Sequence, residues 1–284
     1  MLHFICALKC EALPLLRHFG LQHHGSADLF SCYLNESSAM SLTITGVGAV
    51  NAAAGTMHAI HRFQARQHHA WLNVGIAGHK NLPLGSARLA NRIEDAAGTA
   101  LWFPQILLSS PVPSCGLTSM AAPASSYGDA MIDMEAAGFY ASASRAGTAE
   151  LIHCLKIISD NEQSPARGVA ARQVSALIAG QLGVIENIAG QLRDLSARLP
   201  VSVQQPDHLS RFTERWHFTA YQRHRLTQLL NRWNVLLPAC DPLLTLPPLK
   251  RGAEVLVELE QNLDEAALAA APERQAVPAT GTDN

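Results

Sequence analysis

Three carboxylates stand where alternating strands and helices present reactive groups, at strand ends and the turns that follow them. Glu11 follows an apolar run ending in Ala7-Leu8 and sits at the start of a helix. Glu135 lies in Asp133-Met134-Glu135-Ala136-Ala137, at another helix start, and Asp160 closes the segment Lys156-Ile157-Ile158-Ser159-Asp160-Asn161. A carboxylate at the end of a buried strand is costly unless it has a partner or a task. Groups of this type can give a proton, take one, or bind hydroxyls. Each also has a structural alternative. Glu11 can complement a helix dipole, worth about 0.3–1 kcal/mol, and Asp160 can cap the next helix.

Two glycine-rich segments sit in equivalent places. Gly46-Val47-Gly48 leads from a strand into an Ala-rich helix, and paired glycines there let backbone N–H groups approach an anion or a sugar. The dinucleotide fingerprint is absent, because Asn51 stands where its third glycine belongs and no ribose-binding acid follows. A tight turn is the simpler reading. Asn73-Val74-Gly75-Ile76-Ala77-Gly78 is read likewise as a strand running into a glycine turn.

The elements that position these groups alternate along the first two hundred residues. Residues 2–8, 29–34, 41–45, 71–75, 88–93, 115–120 and 151–159 read as strands, with 99–103 as a further strand beside 88–93. Residues 10–19, 49–66 and 131–145 read as helices, and Val174, Ile178, Leu182, Ile185, Ile188, Leu192, Leu195 and Leu199 mark one stripe of a long helix over 169–199. Apolar strands interleaved with helices predict a sheet covered on both faces.

The composition changes at Leu199-Pro200, which divides the chain into a domain over 1–199 and a helical extension over 200–284. Residues 201–207 read as a linker. Residues 208–236 read as a single helix carrying Arg211, Arg215, Arg223, Arg225 and Arg232 among Trp216, Phe218, Tyr221 and Trp233. Such a helix is read as a packing and interaction surface rather than a nucleic-acid site. Prolines 238, 242, 247 and 248 end it, and the acidic, Ala-rich tail from Glu254 onward is expected to finish in disorder.

Composition narrows the classes further. Of the 284 residues 48% are hydrophobic and 15% charged, against a usual charged share of about 25%. With 21 basic and 23 acidic residues the net charge is −2, so no global positive field attracts nucleic acid or anionic membrane. No window approaches the roughly 20 apolar residues of a membrane span, and residues 1–8 read as a buried strand rather than a leader. Six cysteines without a CxxC pair read as reduced thiols of a cytoplasmic protein. The adjacent pairs His23-His24 and His68-His69 lack ligand spacing and read as surface histidines, so no metal is expected.

In this order and these contexts, residues 2–199 resemble the nucleoside phosphorylase and nucleosidase superfamily. That group includes methylthioadenosine/S-adenosylhomocysteine nucleosidases, futalosine hydrolases and hopanoid-associated phosphorylase-like proteins. The Asp-Met-Glu-Ala and Ile-Ser-Asp segments carry most of the resemblance. It implies an α/β three-layer sandwich with a central mixed, mostly parallel sheet, a homodimer, a small nucleoside as ligand and no cofactor. It implies too that Glu11 orients the attacking water, Met134 packs on the ribose and Glu135 binds its hydroxyls. Asp160 would protonate the leaving purine, with Ser159 orienting it, and Gly46, Gly48, Gly75 and Gly78 would shape the walls. The chemistry is consistent: cleaving an N-glycosidic bond builds positive charge on the ribose and negative charge on the base, and an acid beside the base is commonly worth about 10²–10⁴ in rate.

The chain departs from that pattern in three places. Ile76 replaces the hydroxyl of the phosphorylases' Gly-Ser-Ala-Gly turn, which favours water over phosphate. Lys156 stands where many relatives carry arginine, giving a point charge rather than a bidentate fork. About forty residues separate Glu94-Asp95 from Met134, fewer than the nucleosidases use to cover the base. Leu101-Trp102-Phe103 and Tyr127 are the alternative aromatic platforms, and the C-terminal helix is a candidate lid. The expected activity is hydrolysis of a purine or 5′-modified nucleoside. A phosphate-dependent phosphorylase and a nucleoside-binding scaffold that has lost turnover are the rivals.

Overall fold

A computed structural model describes residues 1–25, 29–123, 126–165, 170–199 and 208–269. The chain divides into two compact units, Met1–Pro200 and Val201–Asn284.

In the first unit β1 (Leu2–Cys6), α1 (Lys9–His18), β2 (Gln22–His23), β3 (Ser31–Asn35), β4 (Met40–Ile44) and α2 (Ala49–Arg62) are followed by β5 (Ala70–Gly78), β6 (Ala87–Asp95), β7 (Leu101–Trp102) and β8 (Ser114–Ser119). Then come β9 (Met131–Asp133), α3 (Ala136–Ala143), β10 (Ile152–Asp160), α4 (Ala171–Ala179) and α5 (Leu182–Arg198). The central pairs β4–β1, β1–β5 and β5–β10 are parallel. The β3–β4 hairpin and the β10–β6 pair are antiparallel. Because β10 pairs with both β5 and β6, and β9 with both β8 and β5, strands β5, β10, β6, β8 and β9 close into a ring.

Strand periodicity sorts the side chains into two cores. From β1, Leu2, Phe4 and Cys6 join Leu15 of α1, Ile178 of α4 and Ile185, Ile188 and Leu192 of α5. Ile5 turns to the opposite face, with Ala52 and Ala59 of α2 and Phe139 and Tyr140 of α3. The sheet is therefore the middle of three layers. The strand ends that carry Glu11 and Asp160 emerge at one edge, because β1, β5 and β10 run in the same direction.

Several expectations are corrected. Residues 131–145 are not one helix, since Met131–Asp133 pairs with β8 and only Ala136–Ala143 is helical. The stripe over 169–199 belongs to two helices, with Gly180 capping α4 and α5 beginning after Gln181; residue 169 lies outside the described residues. Residues 75–78 are not a turn, because β5 runs through to Gly78.

The second unit contains α6 (Leu209–Arg215), α7 (Ala220–Leu236) and α8 (Gly252–Ala269). The expected single helix over 208–236 is broken at Trp216–Phe218, and Thr219 restarts it by accepting a hydrogen bond from the Gln222 N–H. The first part of the acidic tail is ordered as α8. Val255, Leu259 and Leu263, spaced at helical intervals, bury against Leu226, Leu230 and Trp233. The arginines meet acids there: Arg232 lies 2.9 Å from Asp264, Arg211 lies 2.8 Å from Asp241, and Arg225 pairs with Glu260. Three of the five arginines are thus paired within their own unit. The 201–207 linker and the end of the tail, 270–284, lie outside the described residues.

Candidate active site

The strand ends open onto a cavity of about 170 Å³. Glu11, Ile76, Gly78, Met134, Glu135, Ser159 and Asp160 all line it, with Asp133 and apolar walls that include Leu8, Val47 and Ile132. Seven residues drawn from four separate segments of the chain therefore meet in one place. Gly46, Gly48 and Gly75, expected to shape its walls, are not among the lining residues.

Glu11 is buried in the first turn of α1. Its Oε2 accepts from the Ala7 N–H at 3.1 Å and the Leu8 N–H at 2.8 Å, and its Oε1 accepts from the Ile76 N–H at 3.0 Å. One side chain therefore both accepts the N–H groups at the start of α1 and lines the cavity. Burial raises its pKa, opposed by the Lys156 charge and the N–H donors from Leu8 and Ile76. The outcome is a carboxylate that binds a proton more readily than an exposed one.

Glu135 is placed by the glycine segment. Gly48 has a φ of 102°, a region that L side chains rarely adopt, and from there its N–H donates to Glu135 Oε1 at 2.9 Å. Glu135 Oε2 accepts from the Met134 N–H at 3.3 Å. Burial raises this pKa as well, against the pull of Lys156.

The cation that serves these acids is Lys156, which lies beneath the floor, fully buried. Its Nζ is 2.8 Å from Asp133 Oδ2. A Cβ on Gly75 would come 2.9 Å from Glu11 Oε1 and 3.4 Å from Lys156 Nζ, so the carboxylate and the ammonium flank the bare backbone of that residue. Burial alone would lower the Lys156 pKa; Asp133 and Glu135 outweigh it and drive it upward. Asp133 is completed by the Ser119 hydroxyl donating to Oδ1 at 2.5 Å and the Ala136 N–H donating to Oδ2 at 2.9 Å. The sequence marks Lys156 only as a point charge where many relatives carry arginine, ill suited to precise anion recognition. Its position inside the apolar run 152–158 was the available signal that it would be buried against an acid.

Asp160 ends β10. Its Oδ1 accepts from the Ser159 hydroxyl at 2.5 Å, and its Oδ2 accepts from the Tyr127 hydroxyl at 2.7 Å. Of the two aromatic alternatives, Trp102 packs on Tyr140 of α3 with centroids 6.0 Å apart, whereas Tyr127 reaches the cavity acid.

Among the described residues the charged groups lining the cavity are all acids, and no group of three or more His, Cys, Asp or Glu side chains is arranged to hold a metal ion. No described helix is long and apolar enough to cross a membrane. The arrangement offers three separately held carboxylates around a mostly apolar space, which suits proton transfer and hydroxyl binding.

No protein-family model matches the chain, and no curated protein matches it in sequence. Among solved structures it is similar to 5′-methylthioadenosine/S-adenosylhomocysteine nucleosidase from Helicobacter pylori with butyl-thio-DADMe-Immucillin-A. The TM-score is 0.54 at 14% identity, over 67% of this chain and 97% of that one. Futalosine hydrolase of Helicobacter pylori gives the same TM-score, identity and coverage. The Arabidopsis thaliana 5′-methylthioadenosine nucleosidase in apo form gives a TM-score of 0.55 at 16% identity, over 67% of this chain and 95% of that one. The chain therefore has the nucleosidase fold.

Proposed function

We propose that this protein cleaves the N-glycosidic bond of a purine or 5′-modified nucleoside, with water as the nucleophile. The observation that carries the reading is the convergence of Glu11, Glu135 and Asp160 on one cavity at the strand ends of a nucleosidase fold. Glu135 binds the ribose hydroxyls by charge-assisted hydrogen bonds, and Met134 packs against the sugar. As the bond between C1′ and the base breaks, its electron pair goes to the base and Asp160 gives a proton to a ring nitrogen. Water adds to C1′ and loses its proton to Glu11, whose raised pKa makes it the stronger base.

Water is favoured over phosphate because Ile76 presents an apolar side chain to the cavity and no described lining residue is cationic. Phosphate would need donors and positive charge there. In this reading residues 1–199 are the catalytic domain and 200–284 an appended helical unit, a boundary supported by the division of the chain after Pro200. A cytoplasmic location and a homodimer complete the reading, the latter checked by light scattering.

The test is release of free base from a nucleoside panel with and without phosphate, followed by chromatography. Release that does not depend on phosphate is the expected result. Dependence on phosphate reassigns the protein as a phosphorylase. Saturable nucleoside binding without product, unchanged in Asp160→Asn, overturns catalysis and leaves the scaffold reading.

A further inference from the structure

Tyr127 lies in the connection between β8 and β9, and the space it occupies is defined by Gly78. A Cβ at position 78 would fall 2.6 Å from Asp160 Oδ2 and 2.7 Å from the Tyr127 ring carbon Cε1. Neither neighbour can yield easily, since Asp160 is the last residue of a buried strand and the ring is tied to it through the 2.7 Å hydrogen bond. Gly78 is therefore the seat on which ring and carboxylate meet. With Ser159 on Oδ1 and Tyr127 on Oδ2, each oxygen of Asp160 accepts one hydroxyl. The plane of the carboxyl group is fixed from both sides.

We propose that Tyr127 is a positioning residue for the cavity acid, acting through its hydroxyl rather than as an aromatic platform for the base. The proposal rests on the nucleosidase reading above. When Asp160 gives its proton to the departing base, the group left behind is a carboxylate. Two hydroxyl donors already aimed at its oxygens stabilise the charge as it forms, with no reorganisation at that moment. A hydrogen bond to an ionised group is the stronger kind, and its loss in a transition state corresponds to roughly a tenfold to hundredfold fall in rate. The same connection that lines the cavity with Ala122 and Pro123 thus brings the Tyr127 hydroxyl to the acid through the seat at Gly78.

The two roles for Tyr127 separate cleanly in Tyr127→Phe, which keeps the ring and removes the hydroxyl. A platform predicts a variant equal to the wild type. The positioning role predicts a fall in kcat of about 10- to 100-fold on a purine nucleoside, with KM within about threefold. It also predicts little loss, about twofold or less, on 4-nitrophenyl β-D-ribofuranoside, whose leaving group departs without a proton. Unfolding midpoints of variant and wild type are compared to show that the fold is kept, and Tyr127→Leu reports what the ring adds. Full activity of Tyr127→Phe on the purine nucleoside, or equal losses on both substrates, overturns the proposal while the nucleosidase reading stands. A wild type that releases no base from any nucleoside overturns both.

Discussion

The Lys156 ammonium and the Asp133 carboxylate face each other at 2.8 Å with side chains 1% and 0% exposed. Removing two charges from water costs several kcal/mol per ion, and mutual attraction offsets this only where the remaining polar atoms are satisfied. Asp133 meets that condition through Ser119 and Ala136. Breaking the pair from one side leaves an uncompensated buried charge, so Lys156→Met should destabilise the protein by about 3–5 kcal/mol. Urea unfolding measures this directly. The double variant Lys156→Met/Asp133→Asn should lose less than the sum of the singles, and strict additivity would count against a coupled pair.

Glu11 should be separable from Asp160 by its pH dependence. Burial raises its pKa above that of a free glutamate, so a step that needs the ionised form is full above that raised value and declines as pH falls through it. The acidic limb of kcat/KM should accordingly lie above pH 4.5 and disappear in Glu11→Gln, with a rate loss of about 10²–10⁴. Steady-state rates from pH 4 to 8 check both. An acidic limb that survives the substitution assigns it to another group.

Most of the architecture could be read from local pattern, because β1, β5 and β10 are largely apolar runs and β10 ends in a carboxylate that a buried strand would not otherwise carry. The break at Gly180 was hidden because Val174, Ile178, Leu182 and Ile185 keep nearly the same phase across it, so the stripe reads as continuous. Strand β9 was hidden for a related reason, its three residues being too few for a period of two to show. The carboxylates of the site were legible as one strand end, Asp160, and two helix starts, Glu11 and Glu135. The hydroxyl of Tyr127 was not, since its meeting with Asp160 depends on the path of a connection rather than on any periodicity. The ordering of α8 could have been found: Val255, Leu259 and Leu263 recur every fourth residue beneath the acidic exterior.

A pair of histidines at the opposite end of β1 makes the first unit sensitive to acid. His3 is fully buried, stacks on Trp71 with centroids 4.3 Å apart, and shares a 3.0 Å hydrogen bond with His69 Nδ1. Burial, then the nearby amino terminus and His68, lowers the His69 pKa to about 4, and burial with His69 holds that of His3 well below 6.5. His69 was expected at the surface; the structure half-buries it in this cluster. The folded state therefore binds fewer protons than the unfolded chain, and stability present at neutral pH is lost as pH falls from about 6.5 toward 4. The urea midpoint should drop between pH 7 and pH 5, and His69→Gln should flatten that dependence. A midpoint that falls equally in the variant places the acid sensitivity elsewhere.

The appended helices are expected to stand or fall on α8. Leu259 is fully buried in a core built from α6, α7 and α8, with Leu226, Leu229, Leu230 and Trp233. Leu259→Ala leaves a cavity as well as removing apolar contact, and such substitutions cost about 2–5 kcal/mol. A unit this small has little stability to spare, so the loss should appear as faster amide exchange throughout α7 and α8 rather than at the altered residue alone. Its arginine pairs supply much less, because Arg232–Asp264 is about half exposed and pairs of that kind contribute about 0–1 kcal/mol. Asp264→Asn should therefore leave exchange in α7 nearly unchanged. Exchange that rises equally in both variants would show that charge neutralisation, rather than the Leu259 core, holds the acidic helix in place.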